Sequence, residues 1–302
     1  MKAKLTPFAL ALLMGAFILP ACQKNLQLDA TDETPVEVPV AVTDTSTAIP
    51  YPLQASHNCD GAPKYADTIL FTQPSNTDYI VMPVNNPDSG DYFAWPEGMV
   101  IDQHTGAINL SKSDGGLRYN IGWVKKGTTD TCLQSIVLGG ASYADSIYVL
   151  EDDQRYAKPY YNADPNNTVM CTSQGGPNTC AYDVNNAATN QQIKIDKNNG
   201  YIDLKNTANG LAFGLVPVNG AVVNTTIAYR LNDQSMMATQ YLPVTLVYYA
   251  RKSDIPPGLV SLITQKLNNI LNEVLLINLF NPHSAVASSR PRPPVIVVTR
   301  YN

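Results

Sequence analysis

Apolar and polar positions alternate with a period of two through most of the middle of the chain. The stretches "DTILFT", "DYIVMPV", "QSIVLGG", "SIYVLED", "TTIAYRL" and "YLPVTLVYYA" are rich in β-branched and aromatic residues, and Gly, Asn, Asp or Pro separates them. In "LRYNIGWV", Leu117, Tyr119, Ile121 and Trp123 fall on one face. This pattern predicts an all-β chain. It changes after Pro256 and Pro257, where Leu259, Ile263, Leu267, Ile270, Val274 and Ile277 recur every three or four positions and predict an amphipathic helix. Beyond Asn281 and Pro282, "SAVASSRPRPP" reads as an irregular connector and "VIVVTRY" as one added edge strand.

The pattern also repeats. "MVIDQHTGAINLSKSDGGLRYNI" aligns without a gap on "IKIDKNNGYIDLKNTANGLAFGL", 94 residues on, as Asp102 to Asp196 shows. Ile101 matches Ile195, Gly106 matches Gly200, and Ile108 and Leu110 match Ile202 and Leu204. Gly116, Leu117 and Tyr119 match Gly210, Leu211 and Phe213. In each copy the Asp opens a turn by accepting local backbone N–H groups, and the Gly supplies a positive φ. Ala107 and Asn109, like Tyr201 and Asp203, then face away from the apolar side.

The residues Pro96, Gly98, Asp102, Thr105, Gly106, Gly116 and Tyr119 together resemble the signature of bacterial cadherin-like and putative immunoglobulin-like domains. The resemblance implies two tandem immunoglobulin/cadherin-like β-sandwiches, expected over 51–152 and 153–252, with 253–302 holding the amphipathic helix and tail. It covers about 25 residues of each repeat.

Met1 to Ala21 carries Lys2 and Lys4, then an apolar run, and reads as an export signal. Leu19, Pro20, Ala21 and Cys22 resemble the lipobox of bacterial lipoproteins, which implies lipidation of Cys22 and anchoring in a membrane. Gln23 stands where an inner-membrane retention signal has Asp, so the expected location is the outer membrane. Residues 22–50 read as an extended tether. Four cysteines remain, Cys59, Cys132, Cys171 and Cys180, and they permit three disulfide pairings. Cys59 and Cys132 flank one candidate domain while Cys171 and Cys180 bracket a Gly-Gly-Pro-Asn loop, which favours those two bonds; the short loop gains roughly 2 to 3 kcal/mol.

With 44% hydrophobic and 15% charged residues among 302, the chain has a globular composition, and its net charge of −5 offers no basic surface for nucleic acid. No segment has transmembrane character beyond the signal. Catalytic patterns are scarce: Gly140 to Ala144 lacks the closing glycine of a nucleophile elbow, and His104 belongs to the repeated turn. No enzyme and no cofactor is expected. Two candidate binding features lie at the junction of the repeats. Glu151, Asp152, Asp153 and Asp164 supply oxygen donors suited to calcium. Tyr156, Tyr160 and Tyr161 supply rings on which a surface glycan could stack. Asp67-Thr68-Ile69 and Asp145-Ser146-Ile147 resemble a short O-glycosylation acceptor. The expected function is that of a non-catalytic adhesion, spacer or binding module, with a glycan-binding accessory lipoprotein or a calcium-dependent adhesion module as the alternatives; its partners are a membrane, through the lipid, and a surface glycan or envelope protein.

Overall fold

The computed structural model describes residues 59–85, 87–128, 131–168, 170–171, 179–267 and 293–302, all within one compact unit spanning Pro39–Asn302. The export signal, Cys22, the tether over 22–50 and the helix beyond residue 267 lie outside the described residues.

The chain is mostly β, in several sheets. In the first half, β1 (Ile69–Leu70), β2 (Ile80–Val81), β3 (Gly90–Trp95), β4 (Ile108–Asn109), β5 (Leu117–Lys125) and β6 (Thr131–Leu138) follow in order. Four of them make a sheet in the order β1-β6-β5-β3, and β2 pairs with β4. As the alternation predicts, Leu117, Tyr119, Ile121 and Trp123 are all buried, and they pack with Tyr92, Ile108 and Ile136. In the second half come β7 (Ala141–Tyr143), β8 (Ser146–Val149), β9 (Tyr156–Ala157), β10 (Pro159–Tyr161), α1 (Ala187–Asn190), β11 (Ile202–Asp203), α2 (Leu204–Asn209), β12 (Ala221–Tyr229) and β13 (Gln240–Arg251). A helix, α3, occupies residues 257–267, and β14 (Val295–Tyr301) follows. Here the large sheet has the order β12-β13-β14-β8, with β7 on β10 and β9 on β11 as separate pairs.

The repeat is deeper than its sequence. In the first copy Asp102 N–H donates to Ala107 and Gly106 N–H to Asp102; in the second, Asp196 donates to Tyr201 and Gly200 to Asp196. A tyrosine hydroxyl then locks each glycine carbonyl: Tyr65 bonds Gly106 and Tyr143 bonds Gly200, both at 2.6 Å. Tyr65 and Tyr143 belong to the matching stretches "YADTI" and "YADSI", which open the two copies. The triplets Asp67-Thr68-Ile69 and Asp145-Ser146-Ile147 stand at the starts of β1 and β8; Asp67 is exposed, while Asp145 is fully buried.

Three expectations change. The gapless alignment holds only to Leu110 and Leu204, because α2 and an exposed loop follow in the second copy: Leu117 is 3% exposed and Leu211 is 59% exposed. The change from one sheet system to the next falls at Gly139 and Gly140, so β8, on the near side of the expected boundary at residue 152, joins the later sheet. Finally, β14 is not an edge strand. It lies between β13 and β8 and is parallel to both, with Val295 to Val298 buried on both faces. Ile296 and Val298 enter the core of the second half, and Val295 and Val297 pack with Val247, Tyr249, Leu259 and Ile263. The expected helix is present through residue 267, and its apolar positions Leu259 and Ile263 cover that sheet.

Both disulfides join the favoured pairs, Cys59 with Cys132 and Cys171 with Cys180, each with Cα atoms 5.7 Å apart.

Candidate ligand-binding surface

The junction residues divide sharply by environment. Tyr160 and Tyr161, in β10, are 3% and 0% exposed. Strand β10 pairs with β7, and Tyr161 accepts a hydrogen bond from Tyr182 at 3.0 Å. Burial pushes the Tyr161 phenol up to about 12, and the Tyr143 and Tyr182 phenols well above their usual value. These rings are core, so two of the three expected stacking residues are withdrawn from any ligand. Alternation along the strand would leave one of them outward, but all three residues of β10 are buried, so both of its faces are covered.

Tyr156 is different. It sits on β9 with 43% exposure, opposite Asp203 of β11. Its ring lies 6.5 Å from that of Tyr201, tilted by 48°. Arg155 stands 5.0 Å from the Tyr156 centroid, and Lys158 Nζ stands 5.1 Å from that of Tyr201. Arg155 also grips Asp203 through Nε at 3.0 Å and through its Nη2. Burial works against the Asp203 carboxylate, yet the bonds from Arg155 and Asn206 outweigh it and hold the group below the usual range. Asp203 in turn accepts the Asn206 N–H at 3.0 Å and caps α2, as Asn109 accepts the Lys112 N–H at 3.1 Å in the first copy. The result is an aromatic pair, exposed Tyr156 beside half-buried Tyr201, on a short two-stranded sheet, flanked by an ammonium and a guanidinium. Tyr201 was visible in the repeat as an outward-facing position, but only the β9–β11 pairing brings it beside Tyr156.

The acidic candidates are placed separately along the junction. Glu151 accepts from Asn302 N–H at 3.1 Å, and Asp152 accepts from the Asn302 amide at 3.0 Å. Asp153 takes a left-handed conformation at the end of a 3₁₀ turn. Asp164 caps its own loop through Asn166 N–H at 2.9 Å. Among the described residues no three acidic, His or Cys side chains are gathered as a cation site. The loop after β10 closes the junction instead: Asn162 N–H donates to Gly140 and Ala163 N–H to Gly116. A Cβ on Gly140 would lie 2.6 Å from both Gln240 Oε1 and the Tyr229 hydroxyl, so backbone and side chains meet there without spare room.

Ser142 and His104, neither expected to be catalytic, lie in ordinary surroundings. Ser142 is fully buried in β7. His104 is exposed, and its backbone N–H donates to Asp102 at 3.0 Å as part of the turn. Backbone and hydroxyl bonds from Thr105, then the His104 N–H, hold the Asp102 carboxyl below its usual range. Among the described residues no helix is long and apolar enough to cross a membrane.

No family model matches the chain, and no curated protein matches it. Among solved structures, human protocadherin-24 EC1-2 aligns over 61% of this chain and 94% of its own, at 12% identity and a TM-score of 0.19. A SusE-like surface located polysaccharide binding protein from the Bacteroides thetaiotaomicron heparin utilisation locus aligns over 59% of this chain, at 9% identity and a TM-score of 0.22. The alignment spans 32% of that second protein. At these scores the reading of function rests on the chain's own residues.

Proposed function

We infer that this is a non-catalytic binding module of the cell envelope, built of two tandem immunoglobulin/cadherin-like sandwiches and held to the outer membrane through lipid on Cys22. The ligand is a surface glycan, received on the Tyr156–Tyr201 pair. The observation that supports this reading is the 43% exposure of Tyr156 beside a second tyrosine, with Lys158 in reach of a sugar hydroxyl or carboxylate. An aromatic face takes the apolar side of a sugar ring, and adjacent charged groups take its polar edge.

The test is a glycan array probed with the protein, with and without calcium, alongside acyl labelling in cells. Retention should fall at least tenfold for Tyr156→Ala and Tyr201→Ala with the melting temperature kept, and Cys22→Ala should abolish labelling. An array with no retention at all leaves a spacer. Hydrolysis or transfer of any bound sugar refutes the non-catalytic reading, and retention that needs calcium moves the site to a metal-dependent one.

A further inference from the structure

The two copies of the repeat close their sheets differently. In the first, the opening strand β1 lies directly against the closing strand β6, parallel, with Ile69 opposite Val137 and Leu70 opposite Leu138. Their counterparts in the second copy are β8 and β13, and β14 stands between them. Val297 has Val247 on one side and Ile147 on the other. The seat is built to receive this strand. Buried Asp145 accepts the Val295 N–H at 2.8 Å and lies 3.4 Å from Lys266 Nζ of α3, itself 3% exposed. Its counterpart Asp67, in the copy that has no inserted strand, is exposed. The first contact of β14 is thus made to a residue 150 positions away.

We propose that the seam between β8 and β13 is a strand-acceptor site, and that the partner it fits is the β14 strand of a second copy of this chain. Such a strand meets the same backbone ladder and the same two apolar faces as the chain's own, so exchange conserves the contacts and concentration decides the outcome. The site is selective because Val295 to Val298 is an unbroken apolar run buried on both faces; a strand with ordinary alternation sets a polar side chain against one core. In dilute solution the tethered strand wins by effective concentration. Exchange belongs to crowded conditions, such as a surface bearing many copies.

The experiment uses the full chain with Cys22→Ser. One preparation carries Val247→Cys and another Val297→Cys, and the two are mixed, held near the onset of melting, cooled and oxidised. A disulfide-linked heterodimer should form, with a yield that rises with total concentration and exceeds that of Val297→Cys mixed with Val222→Cys. Because a buried cysteine can weaken the fold, the unaltered chain is also incubated with a fluorescent peptide of the sequence Pro293 to Asn302 and passed over a sizing column. Retained peptide, lost when its Val297 is replaced by Pro, supports the site as the heterodimer does. Absence of both the heterodimer and the retained peptide overturns it.

Discussion

The glycines of the repeated turn show what single residues contribute. Gly106 and Gly200 have φ of +70° and +75°, and a Cβ on either would lie 2.5 or 2.6 Å from the ring of Tyr92 or Tyr182. Conformation and space both exclude a side chain. Gly106→Ala and Gly200→Ala should each destabilise the protein by about 2 to 4 kcal/mol in urea unfolding, while His104→Ala, at an exposed position of the same turn, should stay within about 0.5 kcal/mol. This much was legible in the sequence, because Asp and Gly recur at a fixed spacing while the residues between them change from His104 and Thr105 to Asn198 and Asn199. The roles of Tyr65 and Tyr143 were not legible, since each reaches its glycine from a distant stretch of the chain, across 41 or 57 positions.

At the scale of elements, one aspartate does two different things in the two copies. Asp145 ties the start of β8 to the start of β14 and to α3, fully buried; Asp67 opens β1 in water. Asp145→Asn leaves the Lys266 ammonium buried beside a neutral amide, so it should cost about 3 kcal/mol. Asp67→Asn should cost less than about 0.5 kcal/mol. Paired thermal melts of the two variants check the contrast, and equal losses would contradict the assignment of roles. The place of β14 had a trace in the sequence: "VIVV" lacks the alternation of an edge strand, and a continuous apolar run is what burial on both faces demands. What no pattern of residues specifies is its neighbours, which come from positions 146–149 and 245–251. The same limit applies to the ligand surface. "RYAKPYY" announces tyrosines, but the division into one exposed ring and two buried ones depends on β7 and β11, strands outside that stretch.

For the whole molecule, the buried phenols set a limit at high pH. Burial raises Tyr161 and Tyr148 to about 12 from an ordinary 10.0, and holds Tyr143 and Tyr182 well above that ordinary value. The folded state holds these protons more tightly than the unfolded one. Stability is therefore fully present below about pH 10 and is lost as pH climbs toward 12, by about 1.4 kcal/mol per pH unit for each group concerned. Urea midpoints should be flat across pH 7 to 9 and fall steeply above 10, with tyrosinate absorbance rising in the same step as unfolding. Smooth tyrosinate titration in a chain that stays folded would show that these rings are accessible. The Cys59–Cys132 bond bears on the whole molecule in another way. It joins the start of the described chain to β6 and encloses 73 positions of sequence. Tension arriving from the segment before residue 59 crosses the sulfur bridge straight into β6 and on toward Gly139, so the covalent path of the load bypasses the enclosed chain, including β1, β3 and β5. A pull on the protein would therefore extend it by the length of the chain outside that loop, with those 73 positions missing from the measured contour until the disulfide is reduced.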